Sequence, residues 1–207
     1  MEIYILDTSP LCDPKTFAKY FSKCPDYRKQ KIALIKNEAD RRLSLGVEIL
    51  LAHGMSEKKL SPYEICISPS GKPFAKNADI HFSLSHSGKY AVAAFSDSNI
   101  GVDIEMLKKV NLKLSERFFS ISEQQIIDKA QNKELEFLKI WTRKEALLKT
   151  DALSFTGELS DICTAKPELT FNKNRYTLST KVYADYILSC AFCEHDKISS
   201  PENIIIT

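Results

Sequence analysis

Between residues 26 and 52 the apolar side chains Ile32, Ile35, Ala39, Leu43, Val47 and Leu50 recur at spacings of three or four. On a helix they form one stripe, so the spacing predicts a single amphipathic helix over 26–52. Other stretches read differently. Residues 1–6 have the β-rich composition of a first strand, and Asp13-Pro14 opens a short helix with proline at its first position. Turn signals fill 53–80, in Ser61-Pro62, Ser68-Pro69-Ser70-Gly71 and Lys72-Pro73, with one short strand at 64–68 between them. Strand-like runs follow at 80–85, 90–95 and 100–105. Ser87-Gly88 and Ser96-Asp97-Ser98-Asn99 separate them, which predicts a meander. Helical spacing returns over 115–119, 122–133 and 134–150, with Ser122 and Gln125 reading as a capping box. Residues 159–193 read as strands again, and 204–206 as a last one. The class is α+β.

Composition narrows the function. With 207 residues, 43% hydrophobic, 27% charged and a net charge of +2, the chain is an ordinary globular protein of one domain or two lobes. No apolar run approaches the ~20 residues that span a bilayer. The first ten residues carry Glu2 where a signal peptide needs Lys or Arg, so a cytoplasmic protein that does not enter membranes is expected. The six cysteines are scattered and read as reduced thiols. Cys190 and Cys193, followed by His195, have C-x-x-C spacing. On a strand, however, their side chains point to opposite faces, which argues against a shared metal. Between 28 and 42 there is a basic patch of Arg28, Lys29, Lys31, Lys36, Arg41 and Arg42 against Glu38 and Asp40. It is local, without the broad basic field of a nucleic-acid binder.

Three constellations carry candidate chemistry. In Gly101-Val102-Asp103-Ile104-Glu105, Asp103 and Glu105 leave a strand on one face. Paired carboxylates repel unless a cation neutralises them, and Mg²⁺ takes such oxygen ligands while leaving positions for a phosphate. In the segment from Trp141 to Lys149, Trp141, Glu145 and Lys149 lie four apart on one helix face. In Phe82-Ser83-Leu84-Ser85-His86-Ser87-Gly88 a strand ends in hydroxyls and a histidine able to donate to phosphate oxygens. Each alone is weak; a solvated strand face, a surface Glu–Lys pair and a turn are the ordinary alternatives.

Together, and in this order, they resemble the 4′-phosphopantetheinyl transferases of the surfactin-synthetase-activating (Sfp) type. That family has a G-[IV]-D-[IV]-E strand followed some forty residues later by a W-x-x-K-E-[AS]-x-x-K helix. Both are complete here, at 101–105 and 141–149. Its G-K-P turn and S-H-S segment appear as Gly71-Lys72-Pro73 and Ser85-His86-Ser87, and its R-F-F-[ST]-x-x-E segment as residues 117–123. The resemblance runs from about residue 26 to 155; the last fifty residues match only in strand character.

The resemblance implies two similar α/β lobes with pseudo-twofold symmetry, divided here as 1–100 and 101–207, with the site at their interface. It implies transfer of phosphopantetheine from coenzyme A to a serine of an apo acyl or peptidyl carrier protein, with release of adenosine 3′,5′-bisphosphate. Asp103, Glu105 and Glu145 would hold Mg²⁺, and Glu145 would take the serine proton. Lys149 would donate to the pyrophosphate, His86 and Ser85 would hold phosphate oxygens, and Lys72 would sit near the nucleotide. Arg42 would meet the 3′-phosphate. Two lysines of the family's 3′-phosphate subsite fall on Tyr27 and Gln30, so Arg28 and Lys31 are the expected substitutes. The family's shorter type builds its site between subunits; here one chain supplies both halves, so a monomer is expected. A degenerate coenzyme A- or carrier-binding module and an unrelated Mg²⁺-dependent phosphoryl-transfer enzyme are the competing readings. Against them stand the intact Asp103, Glu105, Glu145 and Lys149, and the absence of a P-loop. The carrier's pathway, whether fatty-acid, polyketide, nonribosomal-peptide or lysine biosynthesis, is left open. Leu153 and Phe155, after the catalytic helix, are the expected carrier contacts.

Overall fold

The computed structural model describes residues 1–69, 71–150, 157–171, 173–183, 185–193 and 200–206. The first half runs β1 (Glu2–Asp7), α1 (Pro14–Phe21), α2 (Asp26–Ala33), α3 (Glu38–Glu57), β2 (Ile65–Ile67), β3 (Pro73–Ala75), β4 (His81–Ser87) and β5 (Tyr90–Ser96). The second runs β6 (Ile100–Met106), α4 (Leu114–Phe118), α5 (Ile121–Lys129), α6 (Lys133–Leu148), β7 (Glu168–Phe171), β8 (Asn174–Tyr183) and β9 (Tyr186–Cys193). A short β10 (Glu202–Ile204) closes the chain.

The helix expected over 26–52 is two helices. Asn37 takes the N-cap of α3, its side chain accepting from the N–H groups of Ala39 and Asp40. A cap starts a new helix, so the chain breaks at 34–37 and α3 runs on to Glu57. The stripe was continuous only on paper, because Ala39 is exposed. A second cap is also shifted. Ser120, not Ser122, begins α5, in a reciprocal box with Glu123. The G-K-P turn supplies an unforeseen strand, β3, paired with β2, and the final strand lies at 202–204.

The halves repeat one connectivity. In the first sheet the order is β10-β1-β5-β4, and in the second β6-β9-β8-β7. In each, the half's first strand lies antiparallel to a late one, which pairs in turn with the strand before it. A long helix covers each sheet. Leu50, Leu51 and Met55 of α3 pack on Tyr4, Leu6, Ala93 and Phe95. Ala146 and Leu147 of α6 pack on Tyr176, Leu178 and Ala191. The inner faces meet in a dry core of Ile3, Ile5, Val92 and Ala94 against Val102, Ile104, Leu188, Cys190 and Phe192. The two sheets part between Ser96 and Ile100, where β6 begins, and β10 returns to pair in parallel with β1. Cys190 lies in the inter-sheet core and Cys193 packs toward the α6 side, so the two thiols do face apart. All six cysteines are free. His195 lies outside the described residues. Among the described residues no helix is long and apolar enough to cross a membrane.

One contact brings α6 to the second sheet. Gly101 lies under Ala146, and a Cβ there would stand 1.8 Å from the Ala146 carbonyl oxygen and 3.0 Å from the Thr150 nitrogen. A backbone carbonyl cannot step aside as a side-chain tip does, so any larger residue must lift the helix. Gly101→Ala should therefore cost about 1–3 kcal/mol of stability. Urea denaturation is the measurement, and a variant as stable as the parent would show that α6 shifts without cost.

Candidate active site

The site forms where the edge strands β4 and β6 of the two sheets lie side by side. Gly101, Asp103 and Glu105 alternate with Val102 and Ile104, and the latter two enter the inter-sheet core. Asp103 and Glu105 therefore look the other way, toward α6. Glu145 lies on the last turn of α6, and Lys149 is its C-cap residue. The close seat over Gly101 carries both to the strand.

Asp103 is the centre. Its Oδ1 accepts from Lys149 Nζ at 2.7 Å and from Ser85 Oγ at 2.8 Å. Its Oδ2 is buried and has no hydrogen-bond partner. Burial pushes the Asp103 carboxyl pKa up, against the pull of Lys149 and Ser85. Burial also raises that of Glu145, and the neighbouring Asp103 and Glu105 charges add to it. Among the described residues the Glu145 carboxylate has no ion-pair partner. Glu105 accepts from Ser87 Oγ at 2.9 Å and pairs with Lys108 at 3.3 Å. His86 faces away from Ser85, over the N-terminal turns of α3. Its side chain is exposed, yet enough protein surrounds the ring to lower its pKa, and the Lys149 ammonium adds to that. At neutral pH the imidazole is uncharged and has one N–H to give. Arg42, half-buried in the first turns of α3, makes no ion pair among the described residues.

The acidic side chains offer only oxygen donors, and Asp103 has an orphaned carboxylate oxygen, which suits a hard divalent ion. The three carboxylates are not drawn together, however. Among the described residues no group of three or more His, Cys, Asp or Glu is close enough to hold a metal. Two of the three are paired with lysines: Lys149 with Asp103, and Lys108 with Glu105.

Several expected ligands have other work. Ser85 is buried and saturated: it donates to Asp103 and accepts from Lys149 Nζ at 3.0 Å and from the Ile104 N–H at 3.4 Å. It has no proton left for a phosphate. Lys72 Nζ donates to the carbonyls of Ile100, at 3.2 Å, and Thr150, at 2.9 Å, tying the β2–β3 hairpin to the start of β6 and the end of α6. Arg28 Nε donates to Glu48 at 2.8 Å, and its Nη2 to the Ser44 carbonyl at 2.9 Å, so its charge is spent in the seam between α2 and α3. Lys31 is exposed on α2. Leu153 and Phe155 lie outside the described residues.

Two motif residues had no assigned role. Lys144 and Glu123 form an ion pair at 2.9 Å with both side chains 0% exposed. Lys144 also donates to the carbonyls of Leu159 and Ile162, and Glu123 accepts from Thr164 and Ser120. Burial favours the neutral acid, but the Lys144 ammonium and these N–H donors together outweigh it and hold the Glu123 carboxyl below its usual range. The pair bolts α5, α6 and the 159–164 segment together. Its sequence signal was a Lys on the core side of an amphipathic helix, between the buried Thr142 and Ala146.

The Arg28 assignment is open to test. Glu48 is buried, and its other oxygen already lacks a partner. Arg28→Ala would strand that charge and should cost about 3–5 kcal/mol. Thermal and urea denaturation measure this, and an unchanged midpoint would free Arg28 for a ligand role.

The chain is similar to proteins of known kind. Residues 99–195 match the model of the 4′-phosphopantetheinyl transferase superfamily. The 4′-phosphopantetheinyl transferase psf-1 of Bacillus pumilus is 32% identical over 177 residues, 78% of this chain and 76% of that protein. Over 81 residues, 38% of this chain and 34% of that protein, the gsp transferase of Aneurinibacillus migulanus is 41% identical. The Sfp transferase of Bacillus subtilis is 28% identical over 139 residues, 64% of this chain and 62% of that protein. The matched span contains β6, α6 and the ion pair beneath them, and the chain belongs to the 4′-phosphopantetheinyl transferase superfamily.

Proposed function

We propose that this transferase takes its 4′-phosphopantetheine from coenzyme A and places it on a serine of an apo carrier protein, with Mg²⁺ as cofactor. The observation that carries the reading is Asp103. A buried carboxylate with one orphaned oxygen, flanked by Glu145, Glu105 and Lys149 on the seam between two lobes, is costly to the fold and suited to a cationic, phosphate-bearing complex.

Each residue then has a physical task. Asp103, Glu105 and Glu145 would hold the Mg²⁺, which when bound would neutralise the charge of the pyrophosphate. Glu145, half-buried with a raised pKa, is the base for the carrier serine. The serine oxygen forms a new bond to the phosphorus that bears the pantetheine. The bond from that phosphorus to the bridging oxygen breaks, and adenosine 3′,5′-bisphosphate leaves with the electron pair. Lys149 is placed to turn from Asp103 to the departing charge. Arg42, which makes no ion pair among the described residues, is the candidate for the 3′-phosphate, and neutral His86 can give one N–H to a phosphate oxygen. Lys31 is a solvent-side candidate for the same charge. The chain supplies both lobes and acts as a cytoplasmic monomer. Intact-mass measurement of apo carrier proteins incubated with this protein, coenzyme A and Mg²⁺ tests the reading. A gain of one phosphopantetheine group is expected, and no gain on any carrier class would refute it.

Two variants follow. Asp103→Asn keeps the hydrogen-bonding shape but removes the charge. Transfer should fall at least about a hundredfold with no loss of thermal stability, since the charged form is the one burial disfavours. A variant with parental activity would move the cation elsewhere. Arg42→Ala should raise KM for coenzyme A about tenfold or more, since a charge-assisted bond to phosphate is worth about 1.5–3 kcal/mol. With 3′-dephospho-coenzyme A the loss should shrink, whereas equal losses on both would place the 3′-phosphate away from Arg42.

A further inference from the structure

Three serines alternate along β4, and all three face β6. Ser83 Oγ accepts from the Val102 N–H at 3.0 Å, Ser85 Oγ from Ile104 at 3.4 Å and Ser87 Oγ from Met106 at 3.1 Å. These are the N–H groups that β6, as the edge of its sheet, turns away from β9. Side-chain oxygens thus replace the strand that is not there. A hydroxyl that accepts an N–H still has its own proton to give. Ser85 gives it to Asp103 at 2.8 Å and Ser87 to Glu105 at 2.9 Å. The register explains the pairing: each carboxylate belongs to the residue just before the N–H that its serine accepts. Ser83 stands in the same relation to Gly101, which has no side chain to receive a proton.

We propose that Ser85 and Ser87 are positioning residues that aim Asp103 and Glu105 from the opposite lobe, while Ser83 is the same clamp without a carboxylate to aim. Each of the two hydroxyls fixes one carboxylate oxygen and leaves the other for a cation. For Asp103 that other oxygen is the orphaned Oδ2. Cation binding then depends on the docking of β4 against β6, because one lobe holds the carboxylates and the other orients them. The inference rests on the reading of Asp103 and Glu105 as cation ligands.

Ser83 supplies the control. A role confined to clamping the lobes predicts that Ser83→Ala, Ser85→Ala and Ser87→Ala behave alike. A positioning role predicts that they differ. The probe is Mn²⁺ bound to the full chain without substrates, followed by electron paramagnetic resonance of the free ion, with a thermal scan of each metal-free variant. Ser83→Ala should lower the melting temperature and bind Mn²⁺ as the parent does. Ser85→Ala and Ser87→Ala should weaken Mn²⁺ binding about tenfold, the lower end of what removing a ligand-orienting group costs. They should also raise the Mg²⁺ concentration for half-maximal transfer, and Ser87→Thr, which keeps the hydroxyl, should restore both. Ser87 is only partly buried, so the Ser87 pair decides the matter even where Ser85→Ala does not fold. Equal weakening in all three alanine variants, or none in the Ser87 variant, ends this proposal and leaves the metal assignment standing. A parent that binds no Mn²⁺ ends both.

Discussion

The distance between one helix and one strand governs this site. Helix α6 lies on β6 with the Ala146 carbonyl against Gly101, closer than any side chain permits. From that contact the rest follows by helix geometry. Glu145 and Lys149 are one turn apart and straddle Ala146, so a helix pressed onto Gly101 must hand both to Asp103, two residues along the strand. Lys72 then ties the same corner down, bonding the Ile100 and Thr150 carbonyls on either side of the contact. Beneath α6, the buried Lys144–Glu123 pair fixes the helix from behind. A buried pair is weak evidence of net stability. Here it works by geometry, since its surplus hydrogen bonds hold α5, α6 and the 159–164 segment in one arrangement.

Like charge is the second constraint. Asp103, Glu105 and Glu145 stand along one seam, near enough for the charges of the first two to act on the third, and Asp103 and Glu145 resist ionisation there. The fold tolerates them because Lys149, Lys108 and the serine hydroxyls each take a share of the charge. Such a balance is provisional in a way that the Glu123–Lys144 pair is not. Lys149 keeps about a third of its side chain in solvent and can leave, while Lys144 has none exposed. The two lysines sit five residues apart at the end of one helix, one enclosed in the framework and the other partly in solvent beside Asp103.

How much of this could be read from the sequence depended on range. Period-two alternation placed Asp103 and Glu105 on one face, and a spacing of four put Glu145 beside Lys149; both rules are local and both hold. The α+β class followed from the same periodicities. What failed was set by single side-chain bonds or by distant partners. The break between α2 and α3 hangs on the Asn37 cap, which an apolar stripe cannot reveal. Arg28 looked like a phosphate ligand because its partner Glu48 lies twenty residues away, beyond the end of the basic run. Ser85 looked like a donor to substrate because a hydroxyl in a motif shows its chemistry and not its bonds. The role of Ser83 was invisible until the register of β4 against β6 was known.

That register also shows why two lobes of the same connectivity make one site rather than two. In each half the first strand joins the last, but β1 is covered on its far side by β10, while among the described residues no strand pairs with the corresponding edge of β6. An uncovered edge must find acceptors for its N–H groups, and a neighbouring strand rich in serine can supply them without joining the sheet. Hydroxyls do this and keep a proton in hand, which backbone carbonyls cannot. This edge of β6 is therefore a place where strand carboxylates can be oriented from outside their own sheet. Among the described residues a tenth strand covers the first half and none covers the second, and the uncovered side is the one whose strand carries Asp103 and Glu105.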